Sequence, residues 1–118
     1  MPTVVYTYAN CDTCRRATKW LRNRKLDFVE KPIRDIPPTP LELCKMLEFQ
    51  GGELRKLFNT AGRDYRELNL KDKLPTMQEK EAFGLLAGNG NLVKRPFLLS
   101  GKAGLVGFDE AEWAAALK

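Results

Sequence analysis

A chain of 118 residues is long enough for one hydrophobic core and too short for two. With 43% apolar and 30% charged residues it has the composition of a folded domain, not of a disordered segment. Twenty Lys and Arg against fifteen Asp and Glu leave a net charge of +5, with three cysteines and no histidine. Ser-His-Asp and Cys-His catalysis, histidine-ligated metals and four-cysteine zinc are thereby excluded. No run approaches the roughly 20 apolar residues of a membrane span. The odd cysteine count argues against a disulfide-stapled secreted domain, and Met1 to Tyr6 lacks the basic and apolar parts of a leader. A soluble, cytoplasmic protein with no membrane association is expected.

Thr3 to Tyr8 is β-branched and aromatic, which predicts a buried strand. After the turn Ala9-Asn10-Cys11 the period changes. From Asp12 to Arg24, Cys14, Ala17 and Leu21 share one helical face and Arg15, Lys19 and Arg22 another. Leu26 to Glu30 reads as a second strand, making a βαβ unit with a parallel pair. Thr39, Pro40 and Glu42 form a capping-box pattern that opens a helix over 41–49, stopped by Gly51-Gly52. Cys44 is expected to sit in the core beside Leu41, Met46 and Leu47. Short helices are predicted over 53–58 and 65–70. A further one is predicted from a second capping box, Thr76 with Glu79, to Ala87. Phe97 to Ser100 and Leu105 to Phe108 read as strands joined by a turn at Gly101-Lys102, and Asp109 caps a last helix through Leu117. The order is β-α-β, a helical block over about 39–92, then β-β-α. That is an α/β, thioredoxin-like layout with an all-helical insertion between its halves, all in one domain.

Eleven of the basic residues and seven of the acidic ones fall in residues 1–59. Arg15, Arg16, Lys19, Arg22, Arg24 and Lys25 crowd one stretch. A solvated helix face is the simpler account, and an electropositive rim beside the first cysteine pair is the sharper one. Only Trp20 lies among them, so base stacking and direct nucleic-acid binding are not expected.

Cys11-Asp12-Thr13-Cys14 places a C-x-x-C at a strand-to-helix turn, a redox context. A thiol at the helix N-cap faces unpaired N–H groups and the positive dipole end, which favour its thiolate. One helical turn brings the second sulfur within disulfide range. Asp12 opposes ionisation of Cys11, whereas Arg15 and Arg95 favour it. A thiol with a pKa near neutral is the best attacking group. No metal is expected at this pair.

Four ordered segments carry a resemblance: Asn10 to Ala17, Leu57 to Gly62 with Tyr65 to Leu68, Lys94 to Leu98, and Val106 to Phe108. Over essentially its whole length the chain resembles the ArsC/Spx family of thioredoxin-like proteins, with Asn59-Thr60-Ala61-Gly62 closest to the YffB-like branch. The resemblance implies a cis proline at Pro96 facing the redox cysteine, with Arg95 pointing into the site. It implies catalytic roles for Cys11, Cys14 and Arg95 and substrate contacts for Asn59, Pro96 and Arg15. It further implies no bound cofactor, with glutathione or a thioredoxin system as electron donor. The substrate would be a glutathione mixed disulfide, another small disulfide or a small oxyanion, handled by a monomer. Of the three arginines in the arsenate pocket of the reductases, only Arg95 maps. Asn59 stands at the second, with Arg55 and Arg63 nearby, and the third falls near Gly107. Spx-type regulators use such a cysteine pair as a switch and bind the α-subunit of RNA polymerase, so a redox-sensing regulator is the alternative.

Overall fold

In the computed structural model, which describes residues 3–117, β1 (Val4–Thr7) lies inside a four-stranded sheet. It pairs in parallel with β2 (Val29–Pro32) and antiparallel with β3 (Phe97–Leu99), which pairs antiparallel with β4 (Gly104–Val106). The strand order is β2-β1-β3-β4. Alternation along the strands builds two cores, because successive side chains point to opposite faces. Val5, Leu98 and Leu105 meet Ala17 and Leu21 of α1 (Asp12–Asn23) and Trp113 of α6 (Glu110–Ala116). Tyr6, Phe97 and Leu99 face the helical block instead, packing with Leu43, Met46, Phe58 and Leu86.

That block contains α2 (Pro40–Phe49), α3 (Arg63–Glu67), α4 (Leu70–Lys73) and α5 (Glu79–Gly88), with 3₁₀ turns at Leu54–Leu57, Leu74–Thr76 and Gly90–Leu92. The Thr39 capping box forms as the sequence predicts: Thr39 Oγ1 accepts from the Glu42 amide, and Glu42 accepts from the Thr39 amide at 3.0 Å. Together with the two-faced sheet, this is a thioredoxin-like fold.

Several expectations shift. The second strand starts at Val29, not Leu26. The end of α1 absorbs the residues between: Lys25 turns left-handed at φ 57°, and the Leu26 amide bonds back to Leu21 O. Thr76 caps nothing. It closes a 3₁₀ turn begun at Leu74-Pro75, and α5 starts at Glu79 after Gln78, with no side-chain cap. Residues 54–57 form a 3₁₀ turn, and Phe58 extends to bridge Val93. The stretch over 65–70 splits at Asn69, whose φ is 53°. The last strand ends at Val106 because Gly107 adopts φ 70°, a left-handed conformation that breaks the pleat.

Cys44 is exposed, contrary to the core position predicted for it. The face of α2 that turns inward carries Leu43, Met46 and Leu47. Cys44 lies one residue, about 100° of helix, off that stripe. Leu41, 67% exposed, is turned out as well.

Candidate active site

The Cys11 amide donates to Tyr8 O at 3.1 Å, a tight turn that ends β1 and starts α1. Cys11 is therefore the N-cap residue, with extended backbone, and its Sγ accepts from the Cys14 amide at 3.3 Å. Cys14, one turn on, is 1% exposed and faces the sheet with Ala17 and Leu21. Both thiols are free.

The two sulfurs titrate in opposite directions. Partial burial pushes the Cys11 thiol up, but it is outweighed by hydrogen bonds from the Cys14 side chain and amide and by the charge and donors of Arg95. Cys11 ends below its ordinary value. Cys14 is pushed up to about 12, first by burial and then by its hydrogen bond to Cys11. The pair consists of an acidified, half-buried thiol and a protonated, buried one.

Arg95 enters the site from the bend just before β3. The Arg95–Pro96 bond is cis, as the resemblance implies, and Pro96 is buried. The Arg95 guanidinium lies 4.7 Å from the Tyr8 ring centroid. The bridge of Phe58 to Val93, with Asn59 N to Leu92 O at 2.7 Å and Lys94 N to Leu57 O at 2.8 Å, brings the segment of Asn59 alongside that of Arg95. Asn59 and Arg95 line one cleft of about 300 Å³, with Tyr8, Arg34, Arg63 and Asn91 around it.

Arg15 lies elsewhere. Its guanidinium donates to Ala9 O at 2.8 Å and pairs with the Asp12 carboxylate, and it does not line this cleft. The pairing places a cation on the carboxylate that the sequence sets against the Cys11 thiolate. The other basic residues of α1 and its C-cap Arg24 are exposed, with Arg22 paired to Glu30 and laid over Phe28, and Arg24 over Trp20. They form the solvated face.

Of the two arginines near Asn59 in sequence, Arg63 lines the cleft and Arg55 faces other surface cavities. Gly107 holds a turn: its amide donates to Pro96 O at 2.9 Å in a backbone conformation that side chains rarely adopt. Sequence reasoning missed Tyr8 and Arg34. Arg34 donates to the Tyr8 hydroxyl at 2.9 Å and lies 5.0 Å from its ring centroid. The nearest signal was positional, since both follow the ends of adjacent parallel strands, where ligands collect in open α/β sheets.

Comparison with known proteins bears on the family and the fold. The model of the ArsC family matches residues 6–116. The chain is 44% identical over 113 residues to the uncharacterized protein YusI of Bacillus subtilis, covering 96% of each. It is 28% identical to the global transcriptional regulator Spx 2 of Bacillus cereus over 92% of this chain and 82% of that one. Its fold superposes on the crystal structure of an ArsC family related protein from Bacteroides fragilis with a TM-score of 0.90, at 42% identity, over 98% and 99% of the two chains. Matched by the family model across nearly all its residues, the chain belongs to the ArsC family.

Proposed function

We propose that this protein is a thiol–disulfide oxidoreductase in which Cys11 is the attacking sulfur and Cys14 the resolving one. The opposite perturbation of the two thiols carries this reading. The Cys11 thiolate attacks one sulfur of a small mixed disulfide. A Cys11–sulfur bond forms, the substrate S–S bond breaks, and the departing thiolate takes a proton from water. Cys14 then attacks Cys11 Sγ, its proton goes to the second departing thiolate, and a Cys11–Cys14 disulfide remains. Two equivalents of a low-molecular-weight thiol such as glutathione, or one dithiol protein of the thioredoxin kind, return the pair to its thiols. A cycle of this kind needs a reducing pool, so we assign the protein to the cytoplasm, acting as a monomer.

The buried thiol suits the second step. Burial keeps Cys14 protonated, as do its hydrogen bond to Cys11 and the Cys11 charge. Once Cys11 is bonded to substrate its charge is gone and only the burial remains, so Cys14 becomes easier to ionise when it is needed. Arg95 stabilises the Cys11 thiolate and the anionic partner, and Pro96 and Asn59 shape the approach. A free oxyanion such as arsenate would find Asn59 and Gly107 where the resemblance calls for further arginines. The cysteine pair completes its cycle on a disulfide without arginines at those two positions, so a disulfide is the substrate proposed.

Glutathione-dependent reduction of hydroxyethyl disulfide tests this. Cys11→Ser should fall to the uncatalysed background, and Cys14→Ser should accumulate a stoichiometric Cys11–glutathione adduct by mass spectrometry. Equal rates in wild type and Cys11→Ser would end the proposal. The likeness to Spx 2 supports a second reading, a redox switch without turnover. That reading expects the oxidised and reduced forms to differ in how well they capture the isolated C-terminal domain of the polymerase α chain.

A further inference from the structure

We propose that the Arg95 cleft extends into a carboxylate subsite formed by Arg34 and Arg63, which selects small disulfides bearing a carboxylate remote from the sulfur. This rests on the oxidoreductase reading and names the substrate class of the same site. Three guanidiniums from separate parts of the chain line one cleft of about 300 Å³: Arg34 after β2, Arg63 on α3, and Arg95 before β3. That volume is at the small end for ligand sites, about the size of a short peptide group.

Gathering three cations is unfavourable unless something offsets their repulsion, and Tyr8 does so for two of them. Its ring holds Arg34 at 5.0 Å and Arg95 at 4.7 Å, and its hydroxyl accepts from Arg34 Nη1 at 2.9 Å. Among the described residues, neither Arg34 nor Arg95 has a carboxylate within ion-pair distance. Arg63 gives only Nε to Glu67, at 2.9 Å, which leaves its two terminal nitrogens. Asp64, the acid lining the cleft, accepts from Asn89 Nδ2 at 3.0 Å. Positive charge therefore exceeds negative in a concave site that opens beside the Cys11 partner Arg95. Forked guanidinium donors match a carboxylate in geometry as well as charge.

Non-reactive S-methylglutathione and its diethyl ester differ in carboxylate charge and share the peptide. Binding followed through the Asn59 and Asn91 amide resonances should be at least tenfold weaker for the ester. It should also be at least tenfold weaker for the acid in Arg34→Gln and in Arg63→Gln, both at exposed positions. Equal binding of acid and ester to wild type, unchanged binding in both variants, or no binding at all overturns the subsite. So does inorganic phosphate that occupies the cleft while acid and ester bind alike, since the cleft would then read free oxyanions. The Cys11 reaction with neutral hydroxyethyl disulfide is measured on wild type beside the binding. Its absence in wild type would defeat the oxidoreductase reading alone, because the binding arm needs no chemistry at sulfur.

Discussion

At the scale of single residues, function hangs on which of two similar thiols is ionised. Cys11 and Cys14 are three positions apart on one turn, yet one caps the helix and the other faces the sheet. Removing the positive charge at Arg95 should therefore move Cys11 upward. A thiol whose pKa is lowered by a neighbouring cation is thiolate at lower pH, so Arg95→Gln should shift the iodoacetamide rate–pH profile toward higher pH and slow alkylation at pH 7. An unchanged profile would show that the guanidinium does not act on the sulfur. Arg15→Gln should move the profile less, because Arg15 is held on Asp12 and Ala9 rather than in the cleft. In Tyr6 the same physics serves stability: burial and the hydrogen bond to Glu42 raise its hydroxyl above the ordinary value. Tyr6→Phe should cost about 1–2 kcal/mol, read by urea unfolding, since a buried donor to a carboxylate is lost.

Among the elements, capping separates the helices that the sequence announces from those it does not. Thr39 with Glu42 closes both ends of its box, and α2 starts at Pro40 as predicted. Thr39→Ala should lower stability by about 1 kcal/mol and Tm by roughly 4 °C in a chain of this size. The same letters at Thr76 and Glu79 make no box, because Pro75 draws Thr76 into the preceding 3₁₀ turn. A capping pattern is local, and a competing turn one residue upstream cancels it. Cys44 illustrates the related limit for faces. In α2 the buried stripe is only three residues wide, so a neighbour that shares its hydrophobicity falls outside it.

Across the whole molecule, the cleft exists because the loop after β2 is pressed against the 3₁₀ turn before β3. Gly90 is buried where that contact is closest, and a Cβ there would lie 1.8 Å from Ile33 O. Ile33 is followed by Arg34 and Gly90 by Asn91, so this approach brings two walls of the cleft together. Gly90→Ala should cost about 3 kcal/mol, the upper range for overpacking, because backbone and not a side-chain tip must move. It should also weaken S-methylglutathione binding, whereas Gly88→Ala, which meets open space, should leave binding intact.

What the sequence by itself determined is whatever depends on near neighbours. The alternation of β1, the helical stripe of α1, the Thr39 and Asp109 caps and the Cys11–Cys14 spacing are all set within a few residues by backbone geometry and solvation. The four-segment resemblance adds Arg95, Pro96 and Asn59, which no local pattern connects to Cys11. Only the tertiary structure decided that Arg34, Arg63 and Tyr8 converge with Arg95, that Arg15 turns away to Asp12, and that Cys44 faces solvent. Charge and aromaticity carry no period that marks their direction in space, so a lone arginine after a strand reads the same in solvent or in a cleft. Its role is settled when distant segments pack.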